Sequence, residues 1–335
     1  SNAVGRKGLQ TSPFLGFTPE STHESVSWGL EGLVNDFGIG NMAAALAEDP
    51  ATPDERRETL REESAYFLER ATHYVELFDP EVDFFVPRHE DGSWAVEPET
   101  YNPEAWGGGY TETNGWNFAF HAPQDGQGLA NLYGGKQGLE DKLDEFFSTP
   151  EKGAGNGGIH EQREARDVRM GQWGMSNQVS HHIPWLYDAA GAPSKAQEKV
   201  REVTRRLFVG SEIGQGYPGD EDNGEMSSWW IFASLGFYPL QVGSDQYAVG
   251  SPLFDKATVH LPDGDLVVNA ENNSVDNVYV QSLAVDGEAR TSTSLSQADL
   301  SGGATLDFVM GPEPSDWGTG EDDAPPSLTD GDEPP

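Results

Sequence analysis

The chain has 335 residues, 36% of them hydrophobic and 10% aromatic, which is enough length for two domains with a sizeable core and a composition outside the disordered class. Its 57 Asp and Glu against 20 Lys and Arg leave a net charge of −37 and a pI near 4.3; such a surface repels nucleic acid and anionic membranes, attracts divalent cations and suits a saline or extracellular medium. With no cysteine, disulfides, thiolate metal sites and cysteine nucleophiles are excluded.

The opening Ser1-Asn2-Ala3 reads as a cloning remnant, so the lack of a signal peptide carries no information on export. No apolar run approaches the roughly 18 residues of a membrane span. Residues 22–235 read as mainly helical. Leu68, Ala71, Val75 and Phe78 recur at helical spacing until Asp79-Pro80 stops the run, and Ala196, Val200, Val203 and Leu207 form a second one-sided stripe. Between such stripes, segments 88–94, 106–125, 171–182 and 214–230 combine aromatic and polar residues. Long loops of that kind on a helical scaffold are where binding and catalytic groups sit.

After about Phe237 the pattern turns to short β-rich runs. Thr258 to Leu261 and Leu266 to Val268 flank Pro262-Asp263-Gly264, while Val278 to Val285 ends at Asp286-Gly287 and Thr305 to Met310 follows; these predict hairpins of an antiparallel sheet. The domain division expected is therefore a helical portion carrying the catalytic loops (1–236), a β-sheet subdomain (237–317) and an acidic, Pro-rich tail (318–335) whose composition predicts disorder.

Three loops carry groups suited to sugar chemistry, which needs two carboxyls across a scissile bond and aromatic faces for the ring. Glu112 lies in Tyr110-Thr-Glu-Thr-Asn-Gly-Trp-Asn-Phe118, where neighbouring aromatics can desolvate a carboxyl and raise its pKa. Asp220-Glu-Asp-Asn-Gly224 offers two carboxylates two positions apart. By itself the pair fits water activation, metal binding or plain turn-making; an EF-hand is ruled out because its twelfth residue, expected to be Glu, is Ile231. Asn177-Gln-Val-Ser-His-His182 gathers amide oxygens, which suit a hard cation, with two imidazoles better placed for sugar hydroxyls or structural bonds than for zinc. Phosphate-loop, dinucleotide and nucleophile-elbow motifs are absent, and the glycines of Trp106-Gly-Gly-Gly-Tyr110 read as flexible lining.

These loops, in this order, resemble glycoside hydrolase family 92. Ser25-Val-Ser-Trp-Gly-Leu-Glu31 is similar to the family's Ser-x-Ser-x-x-Leu-Glu helix start, and Tyr110 to Phe118 to its Tyr-Thr-Glu-x-Asn-x-Trp segment. Pro123-Gln-Asp125, Tyr133-Gly-Gly135, Asn177 to His182, Pro218 to Trp230, Gly236-Phe-Tyr-Pro239 and Gly250-Ser-Pro-Leu-Phe254 continue the series. The resemblance implies a mainly α fold, part of an (α/α)6 toroid with a C-terminal antiparallel β-sheet subdomain. It also implies a calcium-dependent, inverting exo-α-mannosidase, α-1,2-directed, acting on terminal mannose of N-glycans or mannans.

Carried over by position, Glu112 is the implied general acid and Asp222, with Asp220 beside it, the base, about 6.5 to 9.5 Å away so that a water fits between. Asn177 and Gln178 are the implied calcium ligands. Trp94, Trp116, Arg88, His181 and His182 are the implied sugar contacts. One departure stands out: many members carry Asn-Glu-Pro-Ser-His-His, and here Gln178 and Val179 replace Glu and Pro, so an uncharged amide stands where a carboxylate would face the ion. The resemblance further implies an upstream β-sandwich and toroid segment and a secreted or cell-surface bacterial enzyme. Readings held against this one are a relative that cleaves mannosyl phosphodiesters, which an intact Glu112 disfavours, a toroid glycosidase for another sugar, and a catalytically silent glycan-binding module.

Overall fold

The computed structural model describes residues 5–152, 159–209 and 216–335, so Ser1-Asn2-Ala3 and the start of segment 214–230 lie outside the described residues. The helices of seven or more residues are α1 (Ser25–Glu48), α2 (Asp54–Arg70), α3 (Gly126–Leu132), α4 (Lys136–Ser148), α5 (His160–Val168), α6 (Pro193–Arg206) and α7 (Glu225–Leu235). α1 buries Val26, Leu30, Leu33 and Phe37, one stripe at helical spacing. α1 and α2 form a helical hairpin whose close approach depends on Gly40: a Cβ there would stand 2.8 Å from Leu68 Cγ. The expected stripe of α6 is buried as predicted, at Ala196, Val200, Val203 and Leu207.

The run from Leu68 to Phe78 is not one helix. α2 ends at Arg70, a 3-10 turn covers His73–Leu77, and Phe78–Asp79 pairs with Phe84–Phe85 as a two-stranded ribbon. The buried positions become Ala71, Tyr74, Leu77 and Phe78, a set that a 3-10 turn and a strand serve better than a single helical face. Tyr74, Leu77 and Phe78 join an aromatic core around Phe85, Phe118, Phe120, Phe146, Trp173 and Trp185.

The C-terminal part holds five main strands: β1 (Lys256–Leu261), β2 (Gly264–Glu271), β3 (Tyr279–Val285), β4 (Glu288–Arg290) and β5 (Ala304–Gly311). Their spatial order is β1-β2-β5-β3-β4. Both expected hairpins form, β1 with β2 and β3 with β4. The second turns through Asp286 and Gly287, both at positive φ, the pairing of residues such a tight turn requires. The sheet departs from the antiparallel expectation at one pairing, because β5 runs parallel to β2. After β4 the chain leaves through Ser294–Ser296 and the short helix Gln297–Ser301 and re-enters in the central slot, antiparallel to β3 and parallel to β2.

The tail expectation also changes. Residues 318–335 lie against the helical portion, where Ser327 Oγ, Thr329 N and Thr329 Oγ1 donate to the Asp125 carboxylate at 2.5, 2.8 and 2.7 Å. Asn131 Nδ2 in turn donates to the carbonyls of Gly331 and Glu333. A polar segment without a core of its own is thus ordered by a buried acceptor that needs donors. On the outward face of α1, Ile39, Met42 and Leu46 remain 39%, 60% and 42% exposed. Among the described residues no helix is long and apolar enough to cross a membrane.

Candidate active site

Three segments meet at the start of α1. The first helical N–H groups, those of Val26 and Ser27, donate to the Gly109 carbonyl at 3.1 and 3.3 Å, and Thr111 N donates to Ser27 Oγ at 2.8 Å. Gly109 is therefore no flexible lining: its carbonyl serves orphan helix donors, and a Cβ on it would come 2.7 Å from Pro87 Cγ. The third segment enters through Asn177, whose Nδ2 donates to the Glu112 carbonyl at 3.1 Å.

Beneath them lies a buried amide network. Asn114 caps the short helix Gly115–Phe118 by accepting from Asn117 N, and its Nδ2 donates to Gln172 Oε1 at 2.9 Å. Asn117 Oδ1 accepts from Gly174 N and Ser180 Oγ at 3.0 and 2.8 Å, while its Nδ2 donates to the Gln172 carbonyl at 3.0 Å. Every polar atom of the Asn117 side chain is used, so the Glu112 and Asn177 loops are fixed relative to one another.

The cavity above this network measures about 370 Å³ and is lined by Ser27, Trp28, Glu31, Glu112, Phe118 and Gln178, among others. That volume falls within the small-molecule range of about 300 to 1,000 Å³. Glu112 is exposed to it at a left-handed φ of 53°, a conformation costly for a residue with a Cβ and often held for function. The left-handed turn also explains why the aromatics after Glu112 do not desolvate it as expected. Asn114 starts a new helix, and Trp116 turns into the core.

Asp222 stands on the far side of Gln178, in a hollow with Asn223, Glu225 and Trp229. Gln178 Nε2 donates to Asp222 Oδ2. Asp222, Asn223 and Gly224 have φ of 53°, 60° and 102° in succession, and the backbone then enters α7. Glu221 holds this bend by accepting from Gly224 N at 2.7 Å and Ser227 Oγ at 2.7 Å, bonds that lower its carboxyl pKa, Ser227 most. Asp220 is exposed and bears on α5 instead. The His160 ring is raised first by its hydrogen bond to Glu164 and least by Asp220, and Glu164 is raised mainly by burial with Asp220 adding to it.

The five expected sugar contacts are not brought to this cavity. Trp116 is 4% exposed, packed edge-on to Phe84 at 4.8 Å with Lys142 Nζ 4.7 Å from its ring. Arg88 donates to the Glu76 carboxylate at 2.6 Å and to the Gly92 carbonyl at 2.8 Å, and its guanidinium stacks between Phe17 and Trp94, so the two residues hold their own loop. His181 is buried, with Nδ1 2.7 Å from Glu225 Oε1 and Nε2 3.0 Å from the Met175 carbonyl; it ties the 177–182 loop to the start of α7. His182 Nε2 lies 2.9 Å from the Phe120 carbonyl, and burial pushes its ring pKa down to about 3.

Sequence reasoning did not single out Trp28 or the pair of Glu31 and His121. His121 Nε2 stands 3.1 Å from Glu31 Oε1, and this imidazole neighbour holds the Glu31 carboxyl below its ordinary range. The available signal was the spacing of Ser27, Glu31 and Asn35, one helix face, inside a motif read only as a helix start.

Among the described residues no group of three or more His, Asp and Glu is placed to hold a metal. The amides of Asn177 and Gln178 use their nitrogens as donors, which leaves both oxygens for an oxygen-seeking cation. The donor set therefore fits calcium and not zinc.

The chain also resembles known proteins along most of its length. Residues 1–312 match the profile described as glycosyl hydrolase family 92 catalytic domain. An uncharacterized secreted glycosidase of the fungus Arthroderma benhamiae is 24% identical over 97% of this chain and 41% of its own length. Among solved structures, an inverting mannosidase of Bacteroides thetaiotaomicron superposes with a TM-score of 0.83 at 32% identity, covering 98% of this chain and 43% of that one. A family 92 α-mannosidase from the same bacterium, in complex with mannoimidazole, gives 0.84 at 28% identity, covering 97% and 41%. The chain thus spans about two fifths of the length of the relatives it matches. With the family profile matched over nearly its whole length, this chain belongs to glycosyl hydrolase family 92.

Proposed function

We propose that the protein carrying this chain is an inverting, calcium-dependent exo-α-mannosidase, directed at α-1,2 linkages of N-glycans or mannans and acting outside the cell. The observation that carries the reading is the join made by Gln178, which lines the Glu112 cavity and hydrogen-bonds Asp222. Glu112 protonates the departing glycosidic oxygen, and Asp222 takes a proton from the water that attacks the opposite face; inversion needs the two carboxyls far enough apart to hold that water. The amide oxygens of Asn177 and Gln178 would hold calcium, which would supply a hard cation for sugar hydroxyls and favour a distorted ring.

The secreted relative and the acidic composition support an extracellular setting. The exposed apolar face of α1, at Ile39, Met42 and Leu46, supports further polypeptide completing the toroid. The test is release of mannose from α-1,2-mannobiose by the full-length protein, with and without a chelator, the product anomer being read by NMR. β-Mannose released only with calcium is the expected result. Binding without turnover makes the protein a glycan-binding module, and release of the α-anomer removes the inverting mechanism.

A further inference from the structure

The strongest unassigned feature is a carboxylate in the cleft that neither proton transfer uses. We propose that Glu31, seated on the buried ring of His121, accepts hydroxyl hydrogen bonds from the sugar and so positions it against Glu112. The proposal rests on the mannosidase reading of the same cleft.

Glu31 shares its helix face with Ser27 and Asn35, and all three line the cavity that holds Glu112. Its side chain is 50% exposed while that of His121 is 7% exposed. The His121 ring lies 5.1 Å from Phe118 and 5.2 Å from His182, centroid to centroid, and both its nitrogens are buried without a hydrogen bond among the described residues, Nε2 making only the ion-pair contact to Glu31. A buried imidazole with an unpaired nitrogen is unfavourable where an apolar residue would pack as well. What His121 does contribute is the contact of its Nε2 to Glu31 Oε1 at 3.1 Å, beside the cavity that Glu31 itself lines. An ionised carboxylate is an acceptor only, so its natural partner is a hydroxyl donor. Trp28 and Phe118 line the same cavity and offer apolar faces to the C–H side of a pyranose. Donor, acceptor and apolar wall together describe a neutral hexose.

The experiment is a cycle between protein and ligand. Wild type and Glu31→Gln, in the full-length protein with calcium, are titrated with methyl α-mannoside and each of its monodeoxy derivatives, and kcat and KM are measured on an aryl α-mannoside. Expected is about tenfold weaker binding of the parent sugar by Glu31→Gln, with KM raised to match and kcat lowered as well, since a sugar held less well is also less well placed against Glu112. One deoxy sugar should lose about as much with wild type and nothing further with the variant. His121→Gln should weaken the same contact and no other. Equal binding of the parent sugar by both proteins, or a loss spread evenly over every deoxy sugar, overturns the proposal alone. A wild-type protein that binds no mannoside overturns both the proposal and the reading beneath it.

Discussion

Gln178 and Asp222 meet across two loops, the amide donating to the carboxylate. A carboxylate at position 178 would repel Asp222 unless a cation stood between them, whereas the amide satisfies Asp222 by itself. Glutamine at this position thus lowers the electrostatic demand for an ion in this cleft.

Gln178→Glu should accordingly make the protein less stable without calcium and more responsive to it. The melting temperature is expected to fall in chelator and recover with calcium, and calcium affinity by calorimetry should rise by roughly tenfold with the added ligand charge. An unchanged affinity would remove residue 178 from the ion's coordination.

Glu112→Gln should slow cleavage of mannobiose on the order of 100-fold while sparing aryl mannosides with good leaving groups, since only the poor leaving group needs the proton. Asp222→Asn should depress both substrates alike with KM little changed. Parallel losses for Glu112→Gln on the two substrates would move the acid elsewhere.

Asn117→Ala strips partners from Gly174 N, Ser180 Oγ and the Gln172 carbonyl. Leaving such buried groups unpaired should cost about 3 kcal/mol of stability, read as a lower denaturant midpoint. Activity should fall further than stability explains, because the same bonds hold the Glu112 and Asn177 loops together.

His182 provides a pH signature. Its folded pKa is depressed to about 3 from 6.5, so the unfolded chain takes up its proton first as pH falls. The stability from keeping it neutral is whole above pH 6.5 and is lost progressively between there and about pH 3, amounting to about 2 kcal/mol at pH 5. His182→Gln, which retains a donor for the Phe120 carbonyl, should flatten that part of the denaturation profile relative to wild type.

Asp125→Asn should loosen the C-terminal segment, since Ser327 and Thr329 both donate to that carboxylate. Limited proteolysis should then clip residues 318–335 faster, and the rest should melt somewhat lower because the same carboxylate accepts from Tyr74 Oη and Gly128 N. Equal cleavage rates would mean that the segment is held by its other contacts.

The amino-acid sequence by itself determined what repeats locally. The α6 stripe, the turn at Asp286-Gly287 and the change from helical to strand pattern near Phe237 each follow from side-chain period or backbone preference within a few residues. The resemblance of the collinear loop motifs to a known family also marked Glu112, Asn177, Gln178 and Asp222 as a set, which composition alone left open. Only the tertiary structure decided where side chains from different segments point. Trp116 and Arg88 look like sugar contacts in their own loops, yet one fills the core beside Phe84 and the other pairs with Glu76. Glu31 looks like an ordinary helix residue until His121, ninety positions later, is folded against it. The parallel slot of β5 and the docking of the acidic tail on Asp125 are long-range matters of the same kind. Each depends on which distant group is left needing a partner once the core has closed, and local pattern carries no record of that.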